Sequence, residues 1–316
     1  MVAEQVDMSY HVPVLADEVV EGLIVDRAGV YLDATAGGGG HSRALLAALG
    51  PEGLLIAVDR DDEAIGATSE SLSGDGRGLV RKGRFAELDS VLNTVGVSSL
   101  SGALFDLGVS SRQIDEAGRG FSYRAEGPLD MRMDPMYGET AADLIATAPE
   151  VELVRIMREY GEERQARSIA RSIVRCRQER PLQTTEDLRQ VVVATRPQMV
   201  NKTLARVFQA FRIAINGELE ELVAGLTTAI DRLAVGGRLA VIAYHSLEDR
   251  IVKRHLAELM RGCICPPRLP VCCCNHRPEF AKVGRGRVKP TPSEVGNNSR
   301  ARSAVLRLYE KLEDNK

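Results

Sequence analysis

No stretch of this 316-residue chain approaches the roughly 18 apolar residues in a row that a membrane helix requires. The opening segment, Met1 to His11, lacks a basic region followed by an apolar one, so a secretory leader is not expected. Internal repeats are missing too, which excludes solenoids and propellers. Cysteine is scarce outside one place: of six, five fall between Cys263 and Cys274. So tight a cluster cannot staple distant parts of a fold. An extracellular disulfide framework is therefore excluded, and a cytoplasmic location is expected. A large excess of one charge is also absent, the formal net being −3.

What is present reads as a soluble globular enzyme. Hydrophobic residues make up 44% and charged residues 27%, on a chain long enough for two compact units. The small net charge conceals an asymmetry. Residues 151 to 215 carry 13 Lys and Arg against 7 Asp and Glu, a net of +6 inside an otherwise acidic chain. Such a block suits an anionic partner held at one face, although a solvated Arg-rich helix would read the same way.

The first 110 or so residues alternate short apolar runs with helical patterns. Val30 to Leu32 leads into Asp33, a glycine run and a helix over His41 to Leu49; Leu54 to Val58 ends at Asp59; Ala103 to Phe105 ends at Asp106. This alternation predicts a parallel sheet of βαβ units. From about Arg112 to Ile215 amphipathic helices replace the strand runs. Strand signals return at Arg238 to Tyr244, after a helix over Glu218 to Leu233 that closes on Gly236-Gly237, and again at Ala304 to Tyr309. The expected fold is α/β, a doubly wound Rossmann-like sheet formed by residues 1–111 and 216–316, with an all-helical insertion at 112–215. The stretch from Cys263 to Asn298 reads as an irregular loop.

Asp33, Asp59 and Asp106 end three successive strands of this reading, so their carboxylates should converge at one crevice. The glycines at 37 to 40 permit positive φ and close approach of backbone to ligand. Asp59 stands 20 residues past Gly39, a spacing suited to a carboxylate that accepts both ribose hydroxyls of an adenosine. The dinucleotide pattern G-x-G-x-x-G fails, because Ser42 and Arg43 occupy its last position, and no phosphate-loop motif is present. Asp33-x-Thr35-x-Gly37-x-Gly39 instead matches the loop that wraps the methionine moiety of S-adenosylmethionine in class I methyltransferases, with Thr35 replacing the first glycine. A nicotinamide-dependent dehydrogenase would share Asp59 but not this spacing. A non-catalytic RNA-binding protein would not need three strand-end carboxylates.

Longer strings are more specific. His11 to Leu15 (HVPVL), Asp33 to Ser42 (DATAGGGGHS), Asp106 to Ser111 (DLGVSS) and Gly127 to Pro135 (GPLDMRMDP) occur in order. Tyr160 to Arg164 (YGEER), Phe208 to Asn216 (FQAFRIAIN) and His245 to Arg250 (HSLEDR) follow. With these motifs the chain closely resembles the bacterial MraW/RsmH family of 16S rRNA (cytosine-N4)-methyltransferases, from about His11 to Leu308. The resemblance implies an S-adenosylmethionine site at Gly39, Gly40, His41, Asp59, Phe85, Asp106 and Gln113. In it Asp59 would take the ribose, Phe85 the adenine, and backbone around Gly39 to His41 the methionine portion. It also implies a helical insertion that recognises substrate, 16S rRNA or the small ribosomal subunit as partner, and no membrane; a homodimer stays open.

The exocyclic amine of cytosine is a weak nucleophile, so the task is alignment and partial rehybridisation of that nitrogen. A carboxylate accepting one of its N–H bonds would help, which makes Asp106 the catalytic candidate. Leu107 offers a carbonyl, but no aromatic follows; Phe121, Tyr123 and Tyr244 are candidates for stacking the base. His245 could bind the base or receive the proton, or simply cap its own motif. The base must leave any stack to reach the pocket. In a helix near Glu162 to Arg177, Arg164, Arg167, Arg171 and Arg175 recur at spacings of three and four, an RNA-binding stripe. Arg196, Lys202, Arg206, Arg285, Arg287 and Lys289 extend the phosphate footprint. Finally, Cys263, Cys265, Cys272 and Cys274 form two C-x-C pairs that could hold a structural zinc.

Overall fold

The computed structural model describes residues 13–266, 271, 273–274 and 276–312. Two compact units divide the chain: the first combines everything up to Gly108 with Glu220 onward, and the second is Val109–Leu219. A sheet organises the first unit. Its strands are β1 (Val30–Asp33), β2 (Leu54–Asp59), β3 (Gly78–Lys82), β4 (Leu100–Asp106), β5 (Leu233–Ala243), β6 (Phe280–Lys282) and β7 (Val305–Lys311). Their spatial order is β3-β2-β1-β4-β5-β7-β6. The first five pair in parallel, and β7 runs antiparallel to both β5 and β6.

Helices α1 (Ala16–Leu23), α2 (Gly40–Ala48), α3 (Asp62–Ser71) and α4 (Leu88–Thr94) precede the second unit. That unit holds α5 (Ser111–Asp115), α6 (Ala141–Thr147), α7 (Glu150–Glu159), α8 (Ala166–Glu179), α9 (Thr185–Ala194) and α10 (Val200–Asn216). After it come α11 (Glu218–Arg232), α12 (Ser246–Leu259) and α13 (Pro292–Asn297). None of the described helices is long and apolar enough to cross a membrane.

The central strands β1, β2, β4 and β5 are largely buried on both faces, which is why they read as continuous apolar runs. Tyr31, Leu55, Ala57, Leu104 and Ile242 join α1 and α2 in one core. Their neighbours in sequence, Leu32, Ile56, Val58, Ala103, Phe105 and Val241, join α4, α11 and α12 in the other. The second unit has its own core, with Ile169, Ile173, Phe208 and Phe211 fully or nearly buried. Its helices begin at sequence-encoded stops. Ser110 with Gln113, Thr140 with Asp143 and Thr184 with Asp187 each form a capping box that satisfies otherwise orphaned N–H groups.

Four features depart from the sequence reading. The strand β3 was not expected, so Asp33, Asp59 and Asp106 end β1, β2 and β4, neighbours in the sheet but not successive in the chain. At the sheet edge β3 is half-buried to exposed and carries Arg81 and Lys82, which leaves no apolar run to read. The strand β5 starts directly at Leu233, with Gly236-Gly237 inside it. Gly236 adopts a φ of 80°, and pairing with β4 slips between Leu100 and Gly102. Between Cys263 and Asn298, finally, β6 and α13 interrupt the irregular stretch. The fourth is α8, which begins at Ala166; Glu162, at φ 49°, breaks the chain direction, so Arg164 precedes the helix.

Candidate active site

The loop between β1 and α2 is tied to the ends of both flanking strands. Ala34 N–H donates to Leu104 O, and Ala36 N–H to Val58 O, each at 2.9 Å. Thr35 explains its own departure from the glycine pattern. Its hydroxyl oxygen accepts the Asp106 N–H at 2.7 Å, pinning the loop to the end of β4. Gly37 N–H reaches Asp59 Oδ2 at 2.9 Å, and Thr68 Oγ1 donates back to Gly37 O at 3.0 Å. Gly39, at φ 77°, caps α2, and a Cβ there would lie 2.9 Å from Ser71 Cβ and 3.2 Å from Thr68 Cα. Close packing against α3 and a left-handed backbone together require glycine at that position.

The three strand-end carboxylates have different surroundings. Asp33 is fully buried and accepts from Ser42 Oγ at 2.6 Å and Thr35 N at 3.1 Å, so both of its oxygens are engaged within the protein. Burial raises its pKa. This carboxylate holds the loop together. Asp59 is half-buried; besides Gly37 it accepts Asp61 N–H at 3.0 Å on its other oxygen. One backbone N–H per oxygen leaves each with a further lone pair. Burial outweighs these bonds and pushes Asp59 up to about 6.

Asp106 lies between two side chains. Tyr244 Oη donates to its Oδ1 at 2.9 Å, and His41 Nδ1 is 3.5 Å from Oδ2. His41 is itself buried and held through Nε2, 3.0 Å from Val14 O. Burial raises Asp106 to about 6, against the lowering effects of His41 and the Tyr244 hydrogen bond. The phenol of Tyr244 is pushed up in turn by burial and by the Asp106 carboxylate, so it remains a donor. Phe85 is half-buried, meeting Phe105 edge-on with ring centroids 5.3 Å apart.

His245 stands at the N-cap of α12, with Nε2 3.0 Å from Glu248 Oε1. The buried Glu248 also accepts Tyr244 N–H at 2.9 Å through Oε2. Glu248 thus orients Tyr244 and His245 together, a part missed in the sequence although the His-x-x-Glu spacing before an apolar run resembles a capping box. In the second unit, Gln113 is buried and its side-chain oxygen accepts Ser110 N–H at 3.0 Å. Phe121 is buried in that unit's core. Tyr123 is half-buried edge-on to Phe208 at 5.6 Å. Tyr244, the third stacking candidate, instead directs its hydroxyl to Asp106.

Arg164, Arg167, Arg171 and Arg175 are all exposed. Arg171 meets Glu150 at 3.4 Å, an exposed contact worth little. Arg206 differs, being turned toward the buried Glu163 at 3.7 Å. The structure brings together Cys263, Cys265 and Cys274; Cys272 lies outside the described residues.

A Rossmann-like sheet with β7 inserted antiparallel between β5 and β6, and with strand-end carboxylates beside a glycine loop, defines a methyltransferase. The chain belongs to the MraW methylase family, whose model matches residues 8–312. It is 48% identical over 310 residues to ribosomal RNA small subunit methyltransferase H of Trichlorobacter lovleyi, covering 96% of this chain and 98% of that protein. The protein of the same name from Chromohalobacter salexigens is 49% identical over 308 residues, covering 96% and 92%. Among solved structures, an rRNA methylase from Streptococcus thermophilus aligns over 94% of each chain at 15% identity and a TM-score of 0.42, too distant to add to the topology.

Proposed function

We propose that this enzyme methylates N4 of a specific cytidine in the decoding region of 16S rRNA, in the cytoplasm, using S-adenosylmethionine. One observation carries the reading most directly: Asp106, at the end of β4, is gripped by Tyr244 and His41 and presents a carboxylate beside the β1–α2 loop. The names of the full-length relatives supply the class of RNA. The residues present fit the cofactor: Asp59 keeps a spare lone pair on each oxygen, and Phe85 is half-exposed. Asp59 would hold the ribose, Phe85 the adenine, and the backbone of Gly39 to His41, with Gln113, the remainder. When bound, S-adenosylmethionine supplies an electrophilic methyl group on a sulfonium.

Asp106 does the work on the amine. Its carboxylate accepts an N–H from the exocyclic nitrogen, favouring the pyramidal form whose lone pair is free to attack. Tyr244 and His41 fix the rotamer, so little reorganisation accompanies the developing positive charge on nitrogen. The proton would leave by way of this carboxylate, and His245, oriented by Glu248, would receive it or bind the base. The exposed arginines of α8 would hold rRNA phosphates.

The test is methylation of small ribosomal subunits from cells lacking this chain, read by nucleoside mass spectrometry. N4-methylcytidine at one decoding-region position is expected. A different methylated nucleoside, or no product on either free rRNA or subunits, overturns the proposal.

A further inference from the structure

The loop that leaves α12 and returns to β6 is closed at its neck. Glu279 N–H donates to Leu259 O at 2.8 Å, and Leu312 N–H donates to Glu279 O at 2.7 Å. Beyond the neck the two arms carry opposed thiols. Cys263 Sγ and Cys274 Sγ are 3.7 Å apart, and Cys265 Sγ and Cys273 Sγ are 4.0 Å apart. Cys273 N–H also points at Cys265 Sγ, at 3.5 Å. The sulfurs of Cys263, Cys265 and Cys274 all lie within 4.8 Å of one another.

Apolar burial does not account for this convergence. Unoxidised cysteines usually behave as small buried hydrophobes. Here Cys263 and Cys273 are exposed, and the aliphatic side chains Ile264 and Val271, among the described residues of the loop, are 58% and 76% exposed. Neither pair is a disulfide, whose sulfurs lie about 2.05 Å apart. A tetrahedral zinc with Zn–S bonds of about 2.3 Å places neighbouring sulfurs about 3.8 Å apart. The Cys263–Cys274 separation is close to that value, and Cys265 lies within 4.8 Å of both.

We propose that Cys263, Cys265 and Cys274 hold one zinc-class divalent cation as a structural thiolate site. Of the four cysteines in the sequence expectation, these are the three among the described residues. Binding converts the three thiols to thiolates and releases three protons to solvent, with no change of oxidation state. The ion joins the two arms of a loop that has little core of its own.

The test uses the full chain, purified without chelator from zinc-supplemented cells. About one zinc per chain is expected, and cobalt exchanged into the site should show thiolate-to-cobalt charge transfer with the intense visible bands of tetrahedral sulfur ligation. The Cys263→Ser/Cys274→Ser double variant should fall below about a tenth of an ion per chain, while Cys176→Ser on α8 keeps the full complement. Should the double variant not fold, cobalt titration of the zinc-stripped wild type decides independently. Zinc below about a tenth per chain after reconstitution, or a Cys263–Cys274 disulfide in the reduced preparation, overturns the proposal. Retention of the full metal complement in Cys265→Ser overturns the ligand assignment.

Discussion

Asp106 is held near the point of protonation by burial and kept charged by Tyr244 and His41, so its chemistry should be visible in pH dependence. With a pKa of about 6, the carboxylate is available to accept an amine N–H above that pH and not below. On the proposed mechanism kcat/KM for methyl transfer therefore declines as pH falls through about 6. Tyr244→Phe removes a bond made to the charged form. Its acid limb should shift to higher pH, with kcat reduced about tenfold; an unmoved limb would show that Asp106 does not govern the profile. Asp59→Ala should weaken S-adenosylmethionine binding by about a hundredfold in calorimetry, as two charge-assisted hydrogen bonds are lost. At this scale the sequence was legible where position alone sufficed. Asp33, Asp59 and Asp106 each end a strand. That Asp33 faces inward depends on the Ser42 hydroxyl and the turn at Thr35, which no strand pattern contains.

Elements were legible to the extent that burial wrote a period into them. The α8 stripe is such a case: Ala166, Ile169, Ala170 and Ile173 are buried, and the arginines between them face out. Arg167→Gln/Arg171→Gln/Arg175→Gln should weaken binding of a 16S rRNA fragment. On the proposed footprint it also lowers the slope of log K against log salt by about 2, roughly 0.7 per lost phosphate contact on single-stranded RNA. Fluorescence anisotropy across a salt series measures both, and an unchanged slope would remove α8 from the interface. Edge strands fared worse. At β3 the residues are half-buried from Gly78 to Val80 and exposed at Arg81 and Lys82, while β6 spans only Phe280–Lys282 inside a stretch rich in Pro, Gly and Cys. In β5 the paired glycines looked like a helix stop because a bulge and a C-cap both call for positive φ.

At the scale of the whole molecule, each unit closes its own core. The second unit's buried cluster draws only on residues between Phe121 and Phe211, and the first unit's two clusters draw on none of these. A fragment comprising residues 109–219 should therefore unfold cooperatively by circular dichroism on its own. On the proposed division of labour it keeps salt-sensitive RNA binding and shows no heat on titration with S-adenosylmethionine. A fragment without a thermal transition would mean that its core needs the rest of the chain. The interruption itself was legible in the sequence as a loss of strand runs after Asp106 and their return at Arg238.

The placement of β7 has a consequence for how the chain is made. As synthesis proceeds, β5 is complete at Ala243, but the strand that pairs with its outer edge begins only at Val305, roughly 60 residues later. At about 5–20 residues per second, that edge waits on the order of 3–12 s. Through this interval the nascent sheet presents open backbone flanked by Leu239, Val241 and Ile242, which is a template for mispairing. Val109–Leu219, a single continuous segment, has already emerged by then. The helical unit is thus complete before the sheet is, so chaperones that shield apolar edges should matter more to this enzyme's yield than to its finished stability.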